Sequence, residues 1–177
     1  MEFLKAEDGK KMRNTVFDSA VNDLHLHILY SGYCSCDHSW KTKNLATAFC
    51  RLYIPEIGCG NLSCGEKTIE LVPGYAYLLP PELPISYDCP DRLQKLFFHL
   101  SFLSQDHYDL FFGCKQILCV PLPQDHLAEY ISLYQNESYY SCIKLKQKLY
   151  GLMLELYAGE NYNYLTGAYA QVDQNGL

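Results

Sequence analysis

Side chains of the types that bind transition metals are concentrated in the stretch LHLHILYSGYCSCDHSW, residues 24–40. His25 and His27 alternate along an extended chain, so both imidazoles lie on one face of a strand. Cys34 and Cys36 supply thiols, but they form no CxxC pair, and no carboxylate follows the histidines at a useful spacing. We therefore expect no metal site here and interpret the stretch as a strand followed by a turn.

The composition indicates one acidic domain of 177 residues, of which 49% are hydrophobic. The net charge of −6 argues against an isolated nucleic-acid binder, which needs a basic surface. The nine cysteines are odd in number and irregularly spaced, and the charged N-terminus has no signal-peptide core. No apolar run approaches the ~20 residues of a membrane helix. These features predict a soluble, cytoplasmic protein with reduced thiols and no membrane contact.

All eight prolines lie between Pro55 and Pro123, and this asymmetry divides the chain into two regimes. Before Pro123, short runs of Tyr, Phe, Leu and Ile between Gly, Pro, Asn and Asp predict the antiparallel strands of a sandwich or barrel. After it, apolar residues recur with helical spacing. The predicted units are a barrel with an N-terminal arm at 1–123, a helical dimerisation segment at 124–158 and a linker at 159–177.

The second predicted helix carries an apolar stripe whose spacing alternates between three and four residues. Two interpretations stay open. The stripe either covers the sheet of its own chain or also pairs with a second subunit, since so few heptads cannot establish a coiled coil. The residues predicted to pair in a dimer are Leu145, Leu149, Leu152 and Leu156.

The most informative segment covers residues 71–102, LVPGYAYLLPPELPISYDCPDRLQKLFFHLSF. Pro73-Gly74 predicts a turn, and YAYLL predicts a short strand. The prolines at 80–84 hold an extended loop before the chain returns at Ile85. A strand, a rigid loop and a second strand in this order are found at the mouth of a small barrel.

This order of fragments resembles the cupin-type ligand-binding and dimerisation domain of AraC-family transcription regulators. The resemblance covers roughly residues 24–156. It implies a mainly β fold, a cupin-like double-stranded β-helix or jelly-roll barrel followed by two α-helices. The fragments that carry it are Ser31-Gly32, Cys34 or Cys36, His38, Trp40, Gly58-Cys59-Gly60, Cys64-Gly65-Glu66-Lys67, Pro73-Gly74, LLPP at 78–81, Ser86-Tyr87 and FFHLSF at 97–102.

The resemblance also implies a function. Such a barrel binds a small effector, here a sugar or a related polar metabolite, and the C-terminal helices form a homodimer. DNA is contacted through a C-terminal helix-turn-helix domain, and no recognition helix of that kind is found in this sequence, so we expect the domain to be absent from this chain. The ligand would act allosterically, by ordering the N-terminal segment or shifting the helices.

Two departures from the metal-binding cupins argue against catalysis. Those enzymes carry His-x-His and Glu on one barrel strand, whereas FCRLYI at residues 49–54 has no histidine. Ile85 stands where they place a further histidine. Without these groups an open metal site cannot assemble. We expect no enzyme, no metal and no cofactor, with a metal-dependent cupin enzyme or a ligand-free dimerisation module as the alternatives.

Strand periodicity predicts which side chains face a ligand. One strand has an apolar face and a second face with Lys95, Phe97 and His99, a mixture unsuited to a dry core. Another strand presents Arg51 and Tyr53 in the same way. Rings stack on apolar surfaces while charged groups take oxygen atoms, as in sites for sugars and small carboxylates. The alternative for these residues is a solvent-facing sheet surface.

Two further aromatic residues complete the predicted ligand-binding set. Tyr87 follows the proline loop, at a position where sugar-sensing members of the resembled family often present a ligand-contacting ring. Trp40 is the only tryptophan and lies near the predicted N-terminal arm. Its ring is either part of the core or a platform on which a ligand stacks.

Overall fold

A computed structural model describes residues 24–104 and 107–174, with side chains through residue 159; the predicted N-terminal arm therefore lies outside the described residues. The strands in the described part are β1 (His25–Cys36), β2 (Thr42–Leu45), β3 (Cys50–Gly58), β4 (Gly60–Cys64), β5 (Lys67–Leu71), β6 (Tyr75–Leu79), β7 (Ile85–Asp88), β8 (Leu93–Leu103) and β9 (Leu118–Pro121). The helices are α1 (Gln124–Gln135) and α2 (Tyr139–Gln174).

The strands form two antiparallel sheets whose neighbours are distant in sequence. One sheet has the order β1-β8-β3-β6-β9 and the other β2-β7-β4-β5. Successive strands thus alternate between the sheets through most of the chain, which is the connectivity of a jelly roll. The predicted barrel followed by two helices is confirmed.

Strand β8 separates two hydrophobic cores because its side chains alternate between the faces of the five-stranded sheet. Leu96, Phe98, Leu100 and Phe102 are buried on the outer face, in a core shared with the two helices. On the inner face, Leu93 belongs to a second core between the sheets, and Phe97 packs against it. The mixed face predicted from periodicity therefore points into the barrel.

The two helices are joined by a hydrogen bond, and each begins at a residue that favours a helix start. Pro123, which cannot extend the preceding strand, stands immediately before α1. Ser138 accepts a hydrogen bond from the Ser141 amide at 3.1 Å and so caps the start of α2. The Tyr130 hydroxyl donates to the Lys148 carbonyl at 3.0 Å, which fixes α1 on α2.

The predicted dimerisation stripe is buried within a single chain. The exposed fractions are 8% for Leu145, 0% for Leu149, 4% for Leu152 and 1% for Leu156, all within the core under the five-stranded sheet. The stripe therefore covers the sheet, as one of the two open interpretations holds. Pairing with a second subunit stays a prediction, and it would have to use other residues of the helices.

The C-terminal segment differs from its predicted form. The sequence predicts an irregular linker from residue 159, whereas the backbone of α2 continues as helix to Gln174. A helix that is already nucleated extends at low cost per residue, and this outweighs the isolated glycines. A linker role for the segment stays a prediction. Within the described part of the chain, no helix has the length and apolar character needed to cross a membrane.

Candidate functional site

Five of the predicted ligand residues lie side by side on the inner face of the five-stranded sheet. Arg51 on β3 is paired in register with His99 on β8, and Tyr53 is paired with Phe97. Lys95 lies two residues before Phe97 on β8 and therefore on the same face. These residues form what we call the inner layer: Arg51, Tyr53, Lys95, Phe97 and His99.

Trp40 and Tyr87, the other two predicted residues, close over one end of the inner layer. Their rings stack with centroids 4.2 Å apart, and the Trp40 ring meets Tyr53 edge-on at 5.8 Å. The Lys95 Nζ lies 3.6 Å from the Trp40 ring centroid and 4.7 Å from that of Tyr53, both within the range of a cation–π interaction. All seven predicted ligand residues are thus in one region between the sheets.

A tight turn from Asp37 to Trp40 positions the Trp40 side chain. The Asp37 carboxylate accepts a hydrogen bond from the Ser39 amide at 2.8 Å, and the Asp37 carbonyl accepts one from the Trp40 amide at 2.9 Å. Hydrogen bonds from Ser39 lower the pKa of the Asp37 carboxyl group, so the turn holds at neutral pH. Short Asp and Ser side chains favour this geometry because they bond to nearby backbone amides.

Arg51 is buried without a full set of partners. Its side chain is 2% exposed, and Nη2 donates to the Leu45 carbonyl at 3.1 Å. Among the described residues, nothing accepts a hydrogen bond from its Nε or Nη1. A buried donor that is left unsatisfied costs about 1–3 kcal/mol, and more when it is charged. The guanidinium group therefore has capacity to bind an acceptor that the described chain does not supply.

Lys95 is the second buried cation of the inner layer. Its side chain is 2% exposed, and its Nζ contacts the Cys36 Sγ at 3.3 Å as well as the rings of Trp40 and Tyr53. No carboxylate in the described part of the chain forms a salt bridge with it. Burial lowers the pKa of the ammonium group, because charge is poorly solvated there.

His99 lies among rings at the other end of the inner layer. Its imidazole is stacked on Phe49 with centroids 5.1 Å apart, and Phe97 and Tyr30 lie at 5.3 and 5.9 Å. Burial lowers the pKa of His99, and the nearby Arg51 and Lys95 cations lower it further. The imidazole is therefore neutral at pH 7.

The depressed pKa of His99 predicts a pH-dependent loss of stability. The unfolded chain takes up a proton at His99 near pH 6.5, whereas the folded protein takes it up only at lower pH. Stability is therefore expected to fall as the pH drops below about 6.5. Urea unfolding from pH 7.5 to about 5.5 should show this slope flattened in His99→Phe and retained in His126→Phe, which changes an exposed histidine on α1. Equal slopes in the two variants would contradict it.

A glycine on β1 makes room for the Phe97 ring. Gly32 is the cross-strand partner of Phe97, and a Cβ atom at Gly32 would lie 2.6 Å from the ring carbon Cε1. No side chain larger than hydrogen fits unless the ring moves. The Ser31-Gly32 pair of the sequence resemblance thus has a packing reason in this chain.

Sequence reasoning missed three partners of the inner layer. These are the ring of Tyr30 beside His99, the Cys36 thiol beside Lys95 and the Leu45 carbonyl that accepts from Arg51. Alternation along the strand already places the ring of Phe49, which stacks on His99, on the same face as Arg51. The three missed contacts depend on how β1 and β2 pair with distant strands, and β1 shifts register between Ile28 and Tyr30.

Two other features do not coincide with this site. A surface groove of about 770 Å³ lies between β3 and α1, and it is lined by none of the inner-layer residues. Its lining includes Glu56, Ile131 and Glu137. His25 and His27 are exposed, with ring centroids 6.5 Å apart. In residues 24–104 and 107–159, no three His, Cys, Asp or Glu side chains are grouped closely enough to hold a metal ion.

Comparison with solved structures places ToxT from Vibrio cholerae among the neighbours of this fold. A variant of apo ToxT from Vibrio cholerae strain SCE256 superposes with a TM-score of 0.50 at 13% identity, covering 80% of this chain and 57% of ToxT. This chain shares its fold with ToxT. ToxT is an AraC-family regulator, so the predicted resemblance is confirmed at the level of the fold.

Other ToxT structures from Vibrio cholerae match with slightly lower scores. One has a TM-score of 0.49 at 11% identity, covering 86% of this chain and 64% of ToxT. A ToxT structure with a bound unsaturated fatty acid has a TM-score of 0.47 at 10% identity, covering 78% and 56%. The chain thus spans less than two thirds of the length of ToxT. No protein-family model matches the sequence, and neither does any curated protein.

Proposed function

We propose that this chain is the effector-sensing domain of an AraC-type transcription regulator. The fold shared with ToxT and the order of sequence fragments from Ser31-Gly32 to FFHLSF support this assignment. The chain covers only 57% of ToxT, and DNA would be contacted by a helix-turn-helix domain outside it. The protein would act in the cytoplasm, where its DNA lies.

The observation that carries the proposal is a pair of buried cations that have no carboxylate partner among the described residues. Arg51 and Lys95 are each 2% exposed, and both project into the space between the sheets. Burying an uncompensated charge is strongly unfavourable, so such a pair persists where it serves a ligand. An anion bound between them would accept the hydrogen bonds that Nε and Nη1 of Arg51 do not make within the described chain.

The surroundings of the two cations define the rest of the ligand. Trp40, Tyr53, Tyr87 and Phe97 present rings, whereas the charged groups of the inner layer are all donors. Sugar hydroxyl groups need acceptors as well as donors, and carboxylates or amides normally supply them. We therefore favour an organic carboxylate with an apolar body over the sugar expected from the sequence.

The ligands of ToxT belong to the same chemical class. ToxT has been solved with an unsaturated fatty acid and with a butenoic acid that carries a methylnaphthalene group. These are properties of ToxT. For the present chain, the carboxylate assignment rests on its own Arg51 and Lys95.

In the proposed mechanism, ligand binding rearranges the packing of the aromatic rings around Lys95. The Trp40 ring covers the Lys95 ammonium group and is stacked on Tyr87, so a ligand that reaches the ammonium group would displace or re-stack these rings. The same movement would reach the helices through β8, whose outer face they cover. Homodimerisation would use the outer side of α2, where Tyr139, Tyr140 and Ile143 are exposed, because the leucine stripe is buried.

Ligand titrations monitored by Trp40 fluorescence test the proposal, because Trp40 is the only tryptophan. Oleate is expected to bind, and arabinose and glucose are not. Since a hydrogen bond to a charged group contributes about 1.5–3 kcal/mol, Lys95→Met and Arg51→Met should each weaken oleate binding about 10- to 100-fold. Lys148→Met on α2 is the matched control, because its ammonium group lies outside the inner layer in an ion pair with Glu129.

Each other outcome supports an alternative. Saturable binding of a sugar but not of oleate would restore the sugar-sensing assignment. A barrel that responds to neither ligand class would act as a ligand-free dimerisation module. Stoichiometric metal in the purified protein would support a metal-dependent cupin enzyme.

A further inference from the structure

Two thiols and the Lys95 ammonium group meet at the end of β1. The Sγ atoms of Cys34 and Cys36 are 3.8 Å apart, and the Lys95 Nζ lies 3.3 Å from the Cys36 Sγ. Both thiols are reduced and half-buried, so small reagents can reach them.

Strand geometry explains why the three groups meet. Cys34 and Cys36 are two residues apart on one strand, so their side chains project to the same face. Cys34 is the cross-strand partner of Lys95, which places all three groups on the inner face of the sheet. Strand β1 is at the edge of its sheet and is paired with β8 alone among the described strands.

The ammonium group lies against the nearer thiol. Lys95 is buried and forms no salt bridge with a carboxylate in the described part of the chain, and its Nζ is 3.3 Å from the Cys36 Sγ. Burial lowers the pKa of Lys95, and the neighbouring Cys36 and Cys34 thiols act in the opposite direction. The other titratable groups that face Cys36 are Tyr53 and Cys89. Thiolates beside a cation are the reactive cysteines of proteins.

We propose that Cys36 and Cys34 form a peroxide-reactive pair, in which Cys36 is the attacking thiolate and Cys34 the resolving thiol. In the first step the Cys36 thiolate attacks one oxygen of hydrogen peroxide. The O–O bond breaks, Cys36 becomes a sulfenic acid, and the hydroxide released takes the proton that Cys36 had given up. In the second step the Cys34 sulfur attacks the Cys36 sulfur, the S–O bond breaks, and water leaves with the Cys34 proton. Two thiols are oxidised by two electrons, and one peroxide is reduced to two waters.

Formation of the disulfide requires β1 to contract locally. The sulfur atoms must approach from 3.8 Å to about 2.05 Å. At a rise of about 3.3 Å per residue, the Cα atoms two residues apart are at the upper end of the range of about 4.4–6.8 Å that disulfides span. An edge strand can contract locally because one side of its backbone is unpaired. Oxidation would then remove the Cys36 sulfur from Lys95.

The test is a time course of hydrogen peroxide treatment of the intact chain, followed by mass spectrometry of peptides. The wild type is expected to lose two hydrogen atoms and to give a peptide that links Cys34 to Cys36. Cys34→Ser should stop at a sulfenic acid on Cys36 that dimedone traps, and Cys36→Ser should lose the rapid phase. Cys119→Ser is the matched control, because Cys119 is an exposed strand cysteine on β9.

A second measurement tests the role of the ammonium group. Iodoacetamide should alkylate Cys36 at least about tenfold faster than Cys119 at pH 7, and Lys95→Met should remove that difference while Lys95→Arg retains most of it. Circular dichroism confirms that each variant is folded. The proposal is overturned if Cys36 reacts no faster than Cys119, if Lys95→Met changes nothing, or if oxidised Cys36 pairs with Cys89 instead of Cys34.

Discussion

Replacing Leu149 with aspartate is expected to abolish cooperative folding. Leu149 is fully buried on α2, in the core that joins the helices to the five-stranded sheet. Truncating a buried leucine costs about 2–5 kcal/mol, and a carboxylate without a partner adds several more. The sum is comparable to the total stability of about 5–15 kcal/mol for a typical domain. Circular dichroism during urea titration measures this loss.

The matched control for Leu149→Asp is Leu154→Asp on the same helix. Leu154 is 53% exposed, so its replacement should change the free energy of unfolding by no more than about 0.5 kcal/mol. The comparison separates two roles of the leucine stripe. If Leu149→Asp gave a stable, folded monomer from a wild-type dimer, the stripe would be a subunit interface and the packing described here would be wrong.

Replacing Arg51 with methionine is expected to stabilise the ligand-free protein. Arg51 has two nitrogen atoms without an acceptor among the described residues, and methionine fills much of the same volume without a charge. Removing the unsatisfied donors should raise the free energy of unfolding by about 1–3 kcal/mol. The urea midpoint should rise at an unchanged slope. The same variant should lose affinity for oleate, so stability and binding move in opposite directions.

A gain in stability together with a loss of oleate affinity would distinguish a ligand-binding residue from a structural one. Arg92→Met, which replaces an exposed arginine, is the control and should leave both the urea midpoint and oleate binding unchanged. If Arg51→Met lowered stability instead, the guanidinium group would be a structural element of the barrel. Functional sites commonly hold groups that are unfavourable for folding, because selection for ligand binding retains them.

The parts of the fold that follow from local periodicity could be predicted from the sequence. Alternation placed Lys95, Phe97 and His99 on a face opposite Leu96 and Phe98, and the structure places the first set between the sheets and the second under the helices. The change from strand-like runs to helical spacing of apolar residues after Pro123 located the helices. Such signals are local because a strand and a helix each repeat within a few residues.

The contacts that the sequence did not reveal are those set by strand pairing. The contact between Cys36 and Lys95 depends on the register of β1 against β8, and the contact between Arg51 and the Leu45 carbonyl depends on the path of β2. A shift of one residue in register would move each side chain to the opposite face. The leucine stripe was ambiguous for a similar reason, since helical spacing shows a buried face without showing what covers it.

One backbone forms the boundary between the two interiors of this protein. On one side of β8, Lys95 and Phe97 contact the rings around the cations. On the other side, Phe98 packs edge-on against Tyr134 of α1, and Phe102 packs against Tyr150 of α2. In the proposed mechanism, a change at the cations would have to cross only one strand, β8, to reach both helices. Both cores share strand β8, so communication between the inner layer and the helices would need no chain of intermediate residues.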